Sequence, residues 1–567
     1  MHTFLPAVCA AASAALSAWL MGWPREGGYQ LTWLVMAVLC AIGTRQFMKE
    51  TDRRAKWCFG VLGALFMLCM GLGWRLESVD RTGFDGLALC LLLAACSGPA
   101  VGALALWASR KLESLAPGKP LSPKKTFWVC FALIMAMWLP VQLAYFPCCF
   151  GYDLNNQIGQ INHGPFNTHH PLLHTLIVGG FYVLGGALGS HTLGAWMYGT
   201  FQMLCVAGSM AYGLSHLARL RVPKKVIVAL TLFFGLAPNH SLMSIGCTKD
   251  VLFAAAMTVT VIHLHKLWLD PTRIRRVKPA LSLVIWLMLT SLLRNNAVYA
   301  IILFAIPAVI LIGKGSRRRL FAAIAAALIL QSAAGTVMAR ATDAVPGAIN
   351  EMLSVPAQQL ARIYHKYGFD VPTGYEVVEW VPHADMYQAS RADFTKQHLK
   401  VTREGQLMGF AKFWVRELFH YPIEYIDAFL LNAKGYWFPH DTSFAVVYGE
   451  WPEALVGAII TEQYPIDVEF TSYIPPLRAL YEHLFTRNNY QSVPGLSTLI
   501  HPATYSWLIL WAIAWAIWRK NTPALMPMLL LAAYLATLFL GPCALVRYCY
   551  YLMIGAPLAL GVLCAKE

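Results

Sequence analysis

The sequence predicts an all-α polytopic membrane protein with about 14 transmembrane helices and an α-rich segment inserted before the last three. Of its 567 residues, 57% are hydrophobic and only 13% are charged, whereas soluble domains average about 25% charged residues. The apolar runs also recur at about 20 residues, the length that crosses a bilayer core of about 30 Å. The net charge of +15 is divided among short clusters between these runs, which argues for cytoplasmic loops and against nucleic-acid binding.

Four apolar runs form a predicted N-terminal membrane unit, residues 1–108. They cover residues 4–23, 31–47, 57–74 and 84–108. The first run lacks a basic n-region, so we predict a retained helix rather than a cleaved signal peptide. The basic loop TRQFMKETDRRAK places the N-terminus in the cytoplasm. Residues 109–126, which contain Pro, Gly and Lys, are then predicted to be a cytoplasmic linker.

Residues 127–339 are predicted to form a membrane module with alternating runs and loops. The run 127–146 crosses outward, so the polar loop 147–170 faces the outside. If 171–188 and 195–214 both crossed, the basic RLRVPKK would lie outside, so we predict that 171–188 lies at or dips into the outer interface. Further predicted crossings are residues 226–242, 251–267, 279–293, 298–312 and 320–338.

Residues 340–506 mix helical patterns with turns rich in Pro and aromatic residues, which favours an α-rich extracytoplasmic segment. The runs 507–518, 524–540 and 545–564 then form a C-terminal membrane unit, residues 507–567. The alternation of basic loops predicts a multi-pass protein of the plasma membrane with both termini in the cytoplasm. The sequence shows neither the half-repeat nor the broken helices that are common in transporters.

The first candidate site is the polar stretch GYDLNNQIGQINHGPFNTHHPLLH, which begins at Gly151. Asp153 is its single acid, and a carboxylate beside amide side chains can act as a general base. Asp153 can also cap a helix that begins at Leu154, and on spacing alone the cap is favoured over the base. The two roles are compatible.

The histidines of this stretch raise the alternative of a metal site. Zinc sites usually combine regular ligand spacing with Cys or carboxylate ligands, and HHPLLH has neither. The sequence also lacks the DxD pair that is typical of divalent-metal sugar transfer. We therefore favour hydrogen-bonding histidines and predict no cofactor.

Three cations lie at the predicted outer ends of separate helices: Lys249 in CTKD, Arg294 in LLRNN and Arg547 in ALVRYCYY. A single cation in such a place is often an anchor that reaches out of the membrane. Three on separate helices suit a phosphate clamp, because Lys and Arg compensate the charge of a phosphate in a partly desolvated site.

The motifs YDLNNQ, THHPLLHTLIVG, CTKDVLF and a late Arg-Tyr pair follow one another in the order seen in GT-C enzymes. From residue 127 onward the sequence resembles this superfamily of lipid-carrier-dependent glycosyltransferases, which includes protein O-mannosyltransferases and aminoarabinose transferases. In particular, it is similar to a bacterial branch of the superfamily. The resemblance implies an integral membrane enzyme that moves a sugar from a polyprenyl-phosphate carrier to an acceptor glycan, lipid or protein on the extracytoplasmic face. The second acid that many relatives place beside the first-loop Asp is absent, which argues against metal dependence.

The resemblance implies inverting transfer with Asp153 as the base, and with Lys249, Arg294 and Arg547 as contacts of the donor phosphate. The residues predicted to bind the acceptor or the sugar are polar and lie near these motifs or early in the segment 340–506: Tyr152, Asn156, Gln157, Gln160, His169, His170, His174, Asp250, Asn295, Gln358, Gln359 and Tyr548. For Gln358 and Gln359 a role in an amphipathic helix stays open. The alternative function is a transporter, flippase or assembly scaffold for lipid-linked sugars.

Overall fold

The structure is a computed structural model that is about 80% helical, which confirms the all-α class. It describes residues 4–21, 30–115, 117–150, 152–397, 399–401, 404–443 and 467–565. In these ranges the only sheet consists of two short strands, β1 (Cys149–Phe150) and β2 (Gly246–Cys247), which pair in parallel.

Four helices precede the linker, and two of them pack very closely. The four are α1 (Phe4–Leu20), α2 (Gln30–Lys49), α3 (Arg53–Val79) and α4 (Gly83–Glu113). A Cβ on Gly63 of α3 would lie 2.1 Å from the carbonyl oxygen of Gly98 of α4. Small residues at a helix contact allow two backbones to approach in this way, as is common between membrane helices.

Ten helices follow in the chain, and the two strands lie among them in sequence order. They are α5 (Pro123–Ala144), α6 (Tyr152–His163), α7 (Leu172–Ala187), α8 (His191–Arg219), α9 (Lys224–Leu236), α10 (Pro238–Ile245), α11 (Lys249–Leu269), α12 (Val277–Leu293), α13 (Ala297–Leu311) and α14 (Lys314–Ala341). The continuous run predicted for 226–242 is wrong, because α9 and α10 meet at a bend of 57°. Pro238 is the first residue of α10. Because proline has no backbone N–H, it cannot donate a hydrogen bond to a carbonyl oxygen of α9.

The segment 340–506, here called the inserted segment, is α-rich as predicted. Its described helices are α15 (Ser354–Tyr367), α16 (Pro372–Trp380), α17 (Asp393–Gln397), α18 (Glu404–His420), α19 (Pro422–Asn432), α20 (Lys434–Trp437), α21 (Pro475–Phe485), α22 (Leu496–Ile500) and the start of α23 (Pro502–Trp518). Residues of α15, α16, α18 and α19 share an apolar core that includes Leu360, Val377, Phe410 and Tyr425. This part of the segment therefore has a core separate from that of the membrane helices.

The inserted segment is bound to the turn between α3 and α4. Arg362 of α15 donates from Nη2 to the backbone oxygen of Asp80 at 2.6 Å, and the same nitrogen lies 3.5 Å from Asp427 Oδ2. Asp427 also accepts a hydrogen bond from the backbone N–H of Thr82 at 3.1 Å. The N-terminal unit thus holds the inserted segment through buried polar contacts.

The last helices are α23, α24 (Thr522–Leu538) and α25 (Tyr550–Leu563), the last preceded by the 3₁₀ turn Val546–Cys549. Among the described residues, six helices are long and apolar enough to cross a membrane, or seven if α9 and α10 form one span. Several further apolar helices are shorter. The chain is therefore a helical membrane protein, while the count of about 14 crossings and the sides of the loops and termini stay predictions.

Candidate active site

The centre of the candidate site is Asp153, in the first turn of α6. Its Oδ2 accepts a hydrogen bond from Lys249 Nζ and another from Arg547 Nη1 at 2.8 Å. The exposed fractions of the three side chains are only 12%, 11% and 9%. Burying charged groups costs free energy unless they are paired, so each of the three groups is stabilised in its buried position by the others.

The two strands explain why Asp153 and Lys249 meet. Cys149 pairs with Gly246 and Phe150 with Cys247. Because the strands are parallel, the chain leaves both at the same end, and each then enters the helix that carries one partner. Asp153 lies inside the first turn of α6 rather than before it. The predicted cap of a helix beginning at Leu154 is therefore wrong, since the carboxylate bonds the two cations instead.

A second ion pair extends the centre. Arg294, directly after α12, holds its Nη1 2.6 Å from Asp250 Oδ1, and Arg547 Nε lies 3.7 Å from Asp250 Oδ2. Asp250 is only 2% exposed, so it bridges the two arginines and is not placed to meet an acceptor. The ring of Tyr548 faces both guanidinium groups, at 4.6 Å from Arg294 and 5.1 Å from Arg547.

Asp153, Lys249, Asp250, Arg294 and Arg547 are here called the charge cluster. It contains three cations and two carboxylates, so its formal charge is positive. The structure thus brings together the three cations that the sequence places on separate helices. An excess of cations in a nearly buried site favours an anionic ligand, and Arg and Lys are the usual partners of phosphate.

The pairing fixes the protonation of the centre. Burial raises the pKa of Asp153, but Arg547 and Lys249 outweigh burial and hold the pKa well below 3.8. His170 lies with its Nδ1 3.2 Å from Lys249 Nζ. Burial, and then the charge of Lys249, lowers the pKa of His170 to about 2. His170 is therefore a neutral ring that accepts a hydrogen bond from the ammonium group of Lys249.

We expect the stabilisation from Asp153 to be independent of pH near neutrality and to disappear in acid. The folded-state pKa lies below the ordinary value of 3.8, so the contribution is fully present above that value and is lost as the pH falls through the folded pKa. Thermal unfolding of the wild type and Asp153→Asn should show a constant gap between about pH 5 and 8 that narrows below about pH 4. A gap that stays constant below about pH 4 contradicts this protonation state.

His174 is fully buried and lies in a separate hydrogen-bond network. Its Nδ1 lies 3.0 Å from Gln157 Oε1, and its Nε2 lies 2.7 Å from Tyr198 Oη. Gln157 also donates to Thr175 Oγ1 at 2.8 Å, and Tyr198 donates to Gln202 Oε1 at 3.1 Å. Both ring nitrogens of His174 are thus in use. The structure gives His174 and Gln157 the role of fixing α6 against α7 and α8, in place of the predicted contact with the acceptor.

Gln160 shapes the loop that follows α6. Its amide nitrogen donates to Asn156 Oδ1 at 2.7 Å, and its oxygen accepts from the backbone N–H of Asn167 at 3.0 Å. Gln160 is buried, whereas Asn156 is exposed. Of these two predicted acceptor contacts, only Asn156 lies where it can meet a solute.

The loop 164–171 is attached to the inserted segment, and two predicted site residues lie at this junction. The backbone N–H of Thr168 donates to the oxygen of Val345 at 3.0 Å, and the exposed Asn295 donates to the oxygen of Thr168 at 3.5 Å. The half-exposed His169 lies 4.0 Å from Glu351. His169 and Asn295 thus form a rim beside the charge cluster.

Gln358 and Gln359 lie inside the inserted segment, and their hydrogen bonds to described residues are all within that segment. Gln358 donates to the oxygen of Gln388 at 2.7 Å and accepts from Thr395. Gln359 donates to the oxygen of Tyr425 at 3.1 Å and accepts from Trp414. Both are buried. The alternative of a packed amphipathic helix fits this placement, and a sugar-binding surface does not.

Among the other predicted site residues, the side chain of Tyr152 lies outside the described residues. In the described ranges no group of three or more His, Cys, Asp or Glu side chains is placed to hold a metal ion. Tyr534 also belongs to the site, although its sequence context did not indicate it. Its Oη accepts from Arg294 Nε at 2.9 Å and donates to Asn296 Oδ1 at 3.2 Å. Tyr534 lies within an apolar run, where nothing in the pattern distinguishes a hydroxyl that bonds a guanidinium group from one that faces lipid.

The fold and the charge cluster together define a polytopic helical membrane protein with a buried, ion-paired polar centre. The chain belongs to the family described as "Family of unknown function (DUF6020)", whose model matches residues 161–565. The match includes Lys249, Asp250, Arg294 and Arg547 and begins shortly after Asp153. No curated protein and no solved structure matches the chain.

Proposed function

We propose that this protein is a membrane glycosyltransferase that transfers a sugar from a polyprenyl-phosphate carrier to an acceptor on the extracytoplasmic face. The observation that supports it best is the pairing of one carboxylate, Asp153, with two cations from distant parts of the chain. A base beside a group of cations is what acid–base transfer with a phosphate leaving group requires. The order of the sequence motifs supports the same reaction.

The two oxygens of Asp153 have different surroundings. Lys249 and Arg547 both contact Oδ2, and no described residue forms a hydrogen bond with Oδ1. In the proposed reaction an acceptor hydroxyl donates to Oδ1 while the cations stay at Oδ2. The two functions, proton acceptance and phosphate binding, would then lie on opposite sides of one carboxylate.

In the proposed reaction the acceptor oxygen attacks the anomeric carbon from the face opposite the phosphate. The bond from that carbon to the phosphate oxygen breaks, and its electron pair leaves with the lipid phosphate. Asp153 takes the proton of the acceptor hydroxyl, and Lys249 and Arg547 stabilise the leaving phosphate. A carboxylate held by two cations is a weak base. The donor phosphate competes for the same cations, and this raises the basicity of Asp153 when the substrate is bound.

The proposal is tested by incubating the purified full-length protein with a panel of polyprenyl-phosphate sugars and candidate acceptor glycans, lipids and proteins. We expect one donor to be consumed, with release of polyprenyl phosphate that depends on the acceptor. Asp427→Asn is a suitable control, because it removes a buried carboxylate of the inserted segment. The partners of this carboxylate, Thr82 and Arg362, lie outside the charge cluster. Folded protein that releases no lipid phosphate from any donor in the panel would count against the enzyme.

One observation favours the alternative of a transporter or flippase. The bend of 57° between α9 and α10 is the kind of helix break that forms substrate sites in transporters. In this chain, however, α10 leads through β2 to Lys249, so the break directs the chain toward the charge cluster. Movement of an unaltered lipid-linked sugar across proteoliposomes would support the transporter, whereas release of lipid phosphate would support the enzyme.

A further inference from the structure

A polar cavity lies at the opposite end of α11 from the charge cluster. Its volume is about 230 Å³, and it is enclosed by α8, α11, the 3₁₀ turn Pro271–Arg275 and the start of α12. The polar side chains that line it are Tyr212, His263, Lys266, Arg273, Lys278 and Ser282. Half of these are cations, and none of its described lining residues is acidic.

The polar groups of this cavity are positioned by one another. Lys266 Nζ donates to Tyr212 Oη at 2.5 Å. His263 Nδ1 lies 2.9 Å from the backbone oxygen of Val259, so this nitrogen carries the hydrogen. His263 Nε2 then accepts from Ser282 Oγ at 2.9 Å. The cavity therefore presents ammonium, guanidinium and hydroxyl groups, which are the groups that bind phosphate oxygens.

The three cations of the cavity, Lys266, Arg273 and Lys278, form no close ion pair within the described part of the chain. Asp270 acts on Arg273 only through its charge at longer range, whereas every cation of the charge cluster is paired. Lys266 and Arg273 are also half-buried, and Lys278 is exposed. Unpaired cations around a cavity repel one another, and a bound anion relieves this repulsion.

The length of α11 predicts that the cavity lies at a membrane boundary. Lys249 and Lys266 are the charged residues near the two ends of α11, and the helix rise places them about 25 Å apart along the axis. This distance is close to the thickness of a bilayer core, about 30 Å. The basic loops predict that the cavity faces the cytoplasm, where the leaflet is rich in anionic lipids.

We propose that this cavity binds the phosphate group of an anionic phospholipid. Lys266, Arg273 and Lys278 neutralise the phosphate. The acyl chains lie along the neighbouring face of α12, where Val277 and Leu281 are 79% and 54% exposed and are spaced one helical turn apart. The lipid would thereby join α8, α11 and α12 at the end of the molecule opposite the charge cluster.

The experiment uses the full-length protein in phosphatidylcholine nanodiscs with increasing fractions of phosphatidylglycerol, and native mass spectrometry counts the lipid that each protein retains. The test variant is Arg273→Gln with Lys278→Gln. The matched control is Arg275→Gln with Arg276→Gln, which removes the same charge from the same loop outside the cavity lining. We expect the test variant to retain phosphatidylglycerol roughly fivefold more weakly for each cation removed, while the control stays close to the wild type.

Three outcomes would overturn the proposal. The first is an equal loss in the test and control variants, which would reveal general attraction to basic loops. The second is equal retention of phosphatidylcholine and phosphatidylglycerol by the wild-type protein. In a third arm, inorganic phosphate is titrated against the protein; binding of free phosphate without selective retention of phosphatidylglycerol would assign the cavity to a soluble phosphate compound. The same retention measurement on Lys266→Gln tests the innermost cation. Thermal unfolding of this variant shows whether it still folds.

Discussion

Replacement of Asp153 by Asn is expected to lower the rate of sugar transfer by about 10³-fold, the usual effect of losing a general base. Asn preserves the size of the side chain, but it cannot take a proton from the acceptor. The change also leaves Lys249 and Arg547 without the carboxylate that they share. Breaking a buried ion pair costs about 3–5 kcal/mol, so we expect a lower unfolding temperature as well. The rate must therefore be measured per folded molecule.

Two variants separate the chemical effect of Asp153→Asn from its effect on stability. Asp427→Asn disrupts the contacts of a carboxylate that is 1% exposed and pairs with Arg362, so it should destabilise the protein and leave the rate per folded molecule near the wild type. Asp153→Glu retains a carboxylate and should restore part of the activity. Wild-type transfer by Asp153→Asn would falsify the assignment of the base, as would an equal loss of rate in Asp427→Asn.

Removal of one phosphate-binding cation should have the next largest effect. We expect Arg547→Gln and Lys249→Met each to lower kcat/KM for the lipid-linked donor by about 10²-fold, as for the loss of one group that stabilises a developing negative charge. Arg547→Lys should retain part of the activity, because it keeps the charge and loses the planar geometry of the guanidinium group. Steady-state kinetics with donor and acceptor varied separately would measure these effects.

Arg294→Gln is the informative comparison for these cation variants. Arg294 pairs with Asp250 and Tyr534, and no hydrogen bond or ion pair between Arg294 and Asp153 is found among the described residues. We therefore expect a smaller loss than for Arg547→Gln. Equal losses in the three cation variants, with no dependence on the donor concentration, would indicate a structural cluster rather than a phosphate site.

The apolar length of a segment predicts the middle of a membrane helix better than its ends. The run predicted over 57–74 lies within α3, which extends over Arg53–Val79. Asp52 begins this helix by accepting hydrogen bonds from the backbone N–H groups of Arg54 and Ala55, which extends it past the apolar run. Hydropathy alone also missed the break at Pro238, because a window averaged over the whole run stays apolar even though Asn239, His240 and Ser241 follow the proline.

The sequence by itself determined the class of the protein and the candidates for its polar centre. Composition and the length of the apolar runs require helices in a membrane, because the backbone must satisfy its own hydrogen bonds there. Within such helices Asp153, Lys249, Arg294 and Arg547 are exceptional, since a charge near lipid is costly unless it is paired or functional.

Only the tertiary structure decided which of these residues are partners. Asp153 and Arg547 are separated by 394 positions in the chain, so no local pattern specifies their contact. The parallel register of β1 and β2 and the break before α10 bring the relevant helix ends together. The same packing assigns His174 to a buried network and Gln358 to the interior of the inserted segment. A polar side chain in the sequence carries its chemistry, but its partners and its access to a substrate depend on the surfaces that fold against it.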